Sequence, residues 1–577
     1  MQTSPAHRAR SVIALISLAL LVLVVPAPAR ADNPIVQTIY TADPAPLVHN
    51  GRVYLYTGHD EDNSTYFTMK EWRVWSSADL VNWTDHGSPL NLASFTWASN
   101  NAWAGQAVER NGKFYWYVPM TDRATGAMAV GVAVADSPTG PFHDALGHPL
   151  VENNEIDPTV FIDDDGQAYL YWGNPNLWYV KLNPDMISYS GSPTKIPLTT
   201  AGFGTRTGDA NRPTLFEEAP WVYKRNGVYY LVYAAKCCSE FIAYSTAPGP
   251  LGPWTYRGTI MPTQGGSFTN HPGVIDFAGN SYFFYHNGAL PGGGGYTRSV
   301  AVEKFSYGSG GTIPSITMTS AGAPQTGPLD PYSPQEAETI ATESGVETEA
   351  IGTGGRSVSF IDNGDWIKIK GVSFGTGASA FTARVASATS GGRIEIRLDS
   401  ATGTLAGTCT VTGTGGWQTF TDTSCPATAS GTHDLYLRFT GGSGSLFNVD
   451  RWQFTRSGPT TPPPTTPPPT TPPPTTPPPA AGCTAAYRTT STWSGGFQAE
   501  VTVTAGSAAV SGWRVTWTLS SGQTISQVWN GTLSSSGPSV TVTNASYNGS
   551  LPANASTTFG FLAGGNPSTP SLSCAVA

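Results

Sequence analysis

Charge is what this sequence has least of. Only 12% of its 577 residues are charged, the net charge is -9 and no basic block occurs, so a nucleic-acid-binding or anionic-membrane-binding protein is excluded. Beyond residue 31 no apolar run is long enough to span a bilayer. Helical apolar periodicity is missing as well, which excludes helical bundles. What the chain has in quantity is Gly (65), Pro (47) and aromatic residues (11%), a composition suited to turn-rich β structure. At this length one hydrophobic core does not suffice, and several domains are expected.

The first 31 residues carry His7, Arg8 and Arg10, an apolar run from Val12 to Val25, and Ala27-Pro28-Ala29-Arg30-Ala31. They read as a signal peptide cut after Ala31, with a run short for a membrane anchor, so a secreted, extracellular protein is expected. Six cysteines in such a chain read as disulfides. Cys483 and Cys574 bracket the last domain and are expected to join its ends. Cys409 and Cys425 flank a strand-turn-strand stretch suited to a local bridge, and Cys237 and Cys238 are left side by side, either as a vicinal ring or free.

One pattern is written five times. An apolar run, a turn pair and an aromatic alternating run spell a β-hairpin around Asn50-Gly51, Asn111-Gly112, Asp165-Gly166, Asn226-Gly227 and Gly279-Asn280, at spacings of 61, 54, 61 and 53 residues. A second two-strand stretch follows each hairpin, giving about four strands per unit. Five such units predict a β-propeller, with sheets packed radially around a channel. Counted back from the turns, Asp157, Glu218, His271 and Trp103 stand 8 residues before theirs and Asp43 stands 7 before its own. If the first strand of each unit is innermost, these five side chains converge at one mouth of the channel. Glu217 rivals Glu218, because neighbouring strand residues face opposite ways, but the shared register favours Glu218. Asp163 to Asp165 read as a solvated hairpin tip, and Trp72, Trp75 and Trp83 as packing between blades.

Tyr40-Thr41-Ala42-Asp43-Pro44, Ile156-Asp157-Pro158-Thr159-Val160-Phe161 and Glu218-Ala219-Pro220-Trp221 resemble the three signature sites of glycoside hydrolase family 43, over essentially the whole of residues 32–325. The resemblance implies a five-bladed propeller that inverts configuration while cleaving arabinose- or xylose-containing polysaccharides. It makes Asp43 the general base, Glu218 the general acid and Asp157 the residue that orients the acid and raises its pKa. Inversion needs an ionised carboxylate for the water and a protonated one for the leaving oxygen, roughly 6.5–9.5 Å apart, and a third carboxylate near the acid helps it keep its proton. By the same likeness His271 faces the channel beside sugar and often beside a calcium or other ion, Arg298 lies near the substrate hydroxyls, and Trp103 walls the sugar. The family commonly continues Pro-Asp where this chain has Gly105-Gln106. Asn33 to Gln37, Lys70 to Trp75 and Gly173 to Leu177 look most like arabinoxylan arabinofuranohydrolases; β-xylosidases and arabinanases share the same carboxylates.

Residues 333–456 alternate short strands with Gly-rich turns, a β-sandwich pattern. Glu336-Ala337-Glu338, Phe360 to Trp366, Ile394 to Asp399, Gly415-Gly416-Trp417 and Phe447 to Asp450 resemble carbohydrate-binding module family 6. The likeness implies that Phe360 and Trp417 sandwich a sugar ring, that Asn448 bonds its hydroxyls, and that Glu336, Glu338 and Asp450 hold a structural calcium. Residues 457–481 form a Pro/Thr linker, whose 21-residue polyproline core reaches roughly 65 Å. Residues 482–577, with Trp493, Gly512 to Trp517, Val528 to Asn530, Asn544 to Gly549 and both flanking cysteines, resemble the cellulose-binding module family 2, also a β-sandwich. This implies a flat strip of Trp493, Trp529 and Tyr547, the last usually Trp in the family, with Trp513 and Trp517 in the core. The whole reads as a monomer acting on plant cell-wall polysaccharides, arabinoxylan and cellulose, needing no cofactor for its chemistry.

Overall fold

Each hairpin turn named above closes a pair of antiparallel strands, and the sheets that grow from them follow one another along the chain. The computed structural model describes residues 29–352, 354–457, 482–493, 495–545, 548–553 and 555–576. The leader up to residue 28, the linker from 458 to 481, Tyr547 and the side chain of Trp493 lie outside the described residues. Met1–Thr461 and Pro462–Ala577 make two compact units.

In the first unit the blade-forming hairpins are Ala42–His49 with Arg52–Gly58, Gln106–Arg110 with Lys113–Asp122, Thr159–Ile162 with Ala168–Trp172, Phe216–Arg225 with Val228–Ala235, and Gly273–Phe277 with Asn280–Asn287. Asn50, Asn111 and Asn226 take φ of 48–55° and the glycine after each 72–77°, the left-handed pair that a two-residue hairpin turn demands. The last turn sits one residue earlier than expected, on Ala278-Gly279, since Phe277 pairs with Asn280. Trp72, Trp75 and Trp83 are buried between blades as anticipated, with Trp72, Tyr56, Trp116 and Phe142 in one apolar cluster.

Two expectations about the blades are corrected. The fifth sheet has three strands, ending at Ser299–Phe305, because the chain's beginning covers its outer edge: Ile35 N donates to Val300 O at 2.9 Å and Thr41 N to Arg298 O at 2.9 Å. Residues 29–31 join this closure, with Ala31 N on Ala323 O and Gln325 N on Ala29 O. Asp163 is also no solvated tip. Its carboxylate takes the Tyr229 hydroxyl at 2.6 Å and Lys224 at 2.9 Å, tying the third blade to the fourth.

The family 6-like domain is stitched to the first blade. Its strand Thr339–Ile340 adds to Trp83–Asp85; Lys370 and Asn82 exchange hydrogen bonds at 2.8 and 3.0 Å, and buried Asp85 pairs with both Arg73 and Arg356. A groove of about 1040 Å³ lies along this junction, away from every expected catalytic residue. The domain's strands are not all short: Trp366–Ser387 and Gly416–Gly441 run 22 and 26 residues as one antiparallel pair, bent by register shifts around Gly375. Cys409 and Cys425 are joined, as are Cys483 and Cys574. The second unit is a sandwich of two four-stranded sheets around Trp513, Trp517, Phe559 and Phe561.

Candidate active site

The three expected carboxylates come together, and the backbone aims each one. Asp43 and Asp157 have φ of 54° and 59°, and Ala219, directly after Glu218, has 54°; non-glycine residues seldom take such values, and they concentrate at functional positions. Register shifts flank Asp43 between Ala42 and Ala45 and Glu218 between Phe216 and Trp221, bulges that turn a side chain out of the ladder. A proline follows each kink at Pro44, Pro158 and Pro220, where a strand-opening residue has no N–H to pair.

Around them a cavity of about 330 Å³ opens at the mouth of the channel. Asp43, Asp157, Asn174, Glu218, His271 and Arg298 supply its polar wall, and Tyr66, Phe67, Trp103, Phe268 and Tyr296 an aromatic one. The rings pack edge to face, Phe67 against Tyr296 at 4.9 Å and Phe268 against Tyr296 at 5.1 Å between centroids. Trp103 is fixed by Nε1 donating to Phe67 O at 2.9 Å. The Gly105-Gln106 departure has a physical reason. A Cβ at Gly105 would stand 2.6 Å from Tyr117 O, and Gln106 Oε1 accepts from Thr159 Oγ1 and Val160 N at 2.7 and 2.5 Å, pinning the strand that Asp157 opens.

Arg298 sets the electrostatics. Its Nη1 donates to Asp43 Oδ1 at 3.0 Å, while Nε and Nη2 each donate at 2.9 Å to Asp60, which has no exposed surface. Burial would push Asp43 up, but the Arg298 guanidinium outweighs it and holds the carboxyl well below its ordinary range. The Asp43 N–H donates to His286 Nδ1 at 3.3 Å, and His286 Nε2 faces Thr269 O at 3.0 Å. His271 Nδ1 lies 3.8 Å from Asp43 Oδ1; burial lowers its pKa to about 4, so its ring is neutral.

Glu218 is tuned the other way. Burial is the largest cause of a pKa pushed up to about 7, opposed by the Asn174 amide that donates to Oε2, and reinforced by Asp43 and Glu217. Asp157 is raised too, by burial, then by Glu218 and Asp43, against the Ala219 N–H that its Oδ2 accepts at 3.0 Å. Glu217 is committed elsewhere, to Arg206 at 2.5 Å, Arg212 at 2.7 Å and Cys237 N at 2.9 Å, which leaves Glu218 as the carboxyl in the cavity. One carboxylate held ionised faces a pocket shared with one that keeps its proton, the pairing that glycoside hydrolysis uses.

Family models match this chain in order: glycosyl hydrolases family 43 over residues 31–313, carbohydrate binding module (family 6) over 336–456 and cellulose binding domain over 483–577. An arabinoxylan arabinofuranohydrolase of Bacillus subtilis (strain 168) is 36% identical over 499 residues, spanning 74% of this chain and 92% of that protein. The chain belongs to glycosyl hydrolase family 43. The crystal structure of a family 43 arabinoxylan arabinofuranohydrolase from Bacillus subtilis in complex with cellotetraose superposes with a TM-score of 0.64 at 34% identity, covering 74% of this chain and 99% of that one. A xylosidase/arabinosidase 43A of Humicola insolens is 31% identical over 326 residues, 48% of this chain and 98% of that protein.

Sequence reasoning missed three polar supports of this family 43 site. Asn174 is held by Glu155, which takes Asn174 N at 2.5 Å and Asn176 Nδ2 at 2.7 Å; Asp60 and His286 are the others. In the family 6 module Phe360 is 56% and Trp417 36% exposed, so Trp417 is not core. Asn448, 3% exposed, donates to Glu349 Oε1 at 2.6 Å and Trp417 O at 3.1 Å. Glu338 is buried, and its Oε2 has no hydrogen-bond partner. Its pKa is raised well above the usual value by burial, then by Glu336, Asp85 and Asp450. Asp450 Oδ2 takes Arg384 at 2.6 Å, and among the described residues no three metal-binding side chains are gathered closely enough to hold an ion. In the cellulose-binding domain Trp529 lies half-buried over Gly560, where a Cβ would meet its ring at 2.3 Å, while Trp513 and Trp517 are core.

Proposed function

We propose that this protein is a secreted, monomeric, inverting exo-hydrolase that removes terminal α-L-arabinofuranosyl groups from arabinoxylan, held on the plant cell wall by its two binding modules. The observation that carries the reading is the opposed tuning of Asp43 and Glu218 in a cavity of about 330 Å³, small enough to suit one terminal sugar. Glu218 donates its proton to the glycosidic oxygen as the bond to the anomeric carbon breaks. Asp43, kept ionised by Arg298, accepts a proton from the water that attacks the opposite face of the ring. Asp157 holds the backbone beside Glu218 through Ala219 N, while burial, then Asp43 and Glu217, keep the acid's pKa high. Arg298 and His271 flank Asp43 where the sugar hydroxyls sit, and the aromatic wall takes the C–H face of the ring.

The acid must be protonated to act, so kcat/KM is expected to stay level below about pH 7, set by Glu218, and to fall about tenfold per pH unit above it. A profile on arabinoxylan that stays level to pH 9 would contradict the assignment. The similarity to a xylosidase/arabinosidase supports β-xylosidase as the second reading. Incubation with aryl α-L-arabinofuranoside, aryl β-D-xyloside and arabinoxylan separates the two: arabinose from the first and third is expected, and xylose from the second would transfer the assignment.

Calcium bound by Glu336, Glu338 and Asp450 is part of the proposal. Its support is the orphaned Glu338 Oε2 and the crowding of like charges around it, which a hard cation would relieve once Arg384 moves off Asp450. Chelation is then expected to lower the melting temperature, since calcium at 100 times its Kd contributes about 2.7 kcal/mol; an unchanged melting curve would remove the site. An ion at the neutral ring of His271 is carried by the family likeness alone.

A further inference from the structure

The mechanism leaves one feature of the cavity wall unused. Cys237 and Cys238 are joined by a disulfide, both are exposed, and both line the cavity beside Glu218 and Asn174. Lys236 alone separates them from the strand Val228–Ala235, whose last residues pair with the strand that carries the acid, Ala234 with Glu218 and Ala235 with Phe216. The turn is anchored there by its backbone, with Cys237 N donating at 2.9 Å to Glu217, the neighbour of Glu218.

The position has a direction in it. A general acid delivers its proton to the leaving oxygen, so the leaving group departs on the acid's side of the sugar. The aromatic lining residues come from elsewhere, Tyr66, Phe67 and Trp103 from the first and second blades and Phe268 and Tyr296 from the approach to and the loops of the fifth. Among the described lining residues on the third and fourth blades, Ile156 and the two cysteines alone lack a charged or amide group. A disulfide is polarisable, lacks an N–H or O–H donor and offers two adjacent sulfurs as one surface, which suits the apolar C–H face of a sugar ring.

We propose that the Cys237–Cys238 disulfide is the contact surface for the leaving group, the xylose unit of the xylan backbone that bears the arabinose. The proposal rests on the arabinoxylan reading above. It makes the disulfide a determinant of specificity for what is attached to the arabinose, with no part in the chemistry at the anomeric carbon.

The test compares the full-length protein with its Cys237→Ala/Cys238→Ala variant on two substrates. One is an arabinose-substituted xylo-oligosaccharide; the other is α-L-arabinofuranosyl fluoride, whose one-atom leaving group cannot reach the sulfurs. The variant is expected to lose about tenfold in kcat/KM on the oligosaccharide, mostly through KM, the scale of one lost apolar contact, with less than about twofold change on the fluoride. The wild type, after mild reduction shown by thiol labelling at Cys237 and Cys238, is expected to shift in the same direction. Equal losses on both substrates would make the disulfide a mere staple of the loop, and no loss on either would remove it from the site. A wild type that hydrolyses xylosyl fluoride and not arabinosyl fluoride would sink the arabinoxylan reading separately.

Discussion

Glu218→Gln is expected to lower kcat on arabinoxylan by about 10²–10⁴-fold, the range that general acid catalysis contributes. The change keeps the side chain's shape, so folding should be little affected. Substrate choice makes the result diagnostic. An aryl arabinoside with an acidic phenol needs little protonation to leave, and its rate should fall far less than that of the polysaccharide. The basic limb of the pH profile, set by a pKa near 7, should vanish in the same variant. Glu217→Gln has a different expected outcome, because Glu217 joins Arg206, Arg212 and Cys237 N: it should destabilise the loop before it changes the chemistry. Full activity in Glu218→Gln would refute the acid assignment.

Arg298→Ala should be the most damaging substitution outside the carboxylates, for two separable reasons. Asp60 has no exposed surface and pairs through two oxygens with Arg298; removing the guanidinium strands a buried charge, which typically costs about 3–5 kcal/mol. Asp43 loses the strongest influence holding it ionised, so the acid limb of the pH profile should move upward. Adding Asp60→Asn to the variant should recover much of the stability and none of the activity. Recovery of both would mean that Arg298 serves the fold alone; an unchanged pH profile in a folded variant would sever it from Asp43. Chemical denaturation and kcat/KM measured across pH read the two effects.

What was legible in the sequence was what is encoded locally. Turn pairs such as Asn50-Gly51 and Asn226-Gly227 write the left-handed conformation that closes a hairpin, and a fixed count back from each turn finds Asp157, Glu218 and His271. The gathering of Asp43, Asp157 and Glu218 around one cavity follows from that register. Contacts between distant parts of the chain were not legible. Asp60 meets Arg298 across 238 residues, and nothing near either announces the other. The fifth blade lacks its fourth strand because residues 33–41 cover the edge, a choice made by ring closure and not by local pattern. Asp163 looked solvated within its own hairpin, and only the neighbouring blade supplies Tyr229 and Lys224.

Single displacement at an anomeric carbon leaves a stereochemical record, and no other observable depends as directly on Asp43 and Glu218 working from opposite faces of one sugar. Proton NMR during the first minutes of arabinoxylan hydrolysis reads it before the released sugar mutarotates. β-L-Arabinofuranose appearing first is the expected result; the α anomer, or xylose in its place, would contradict it.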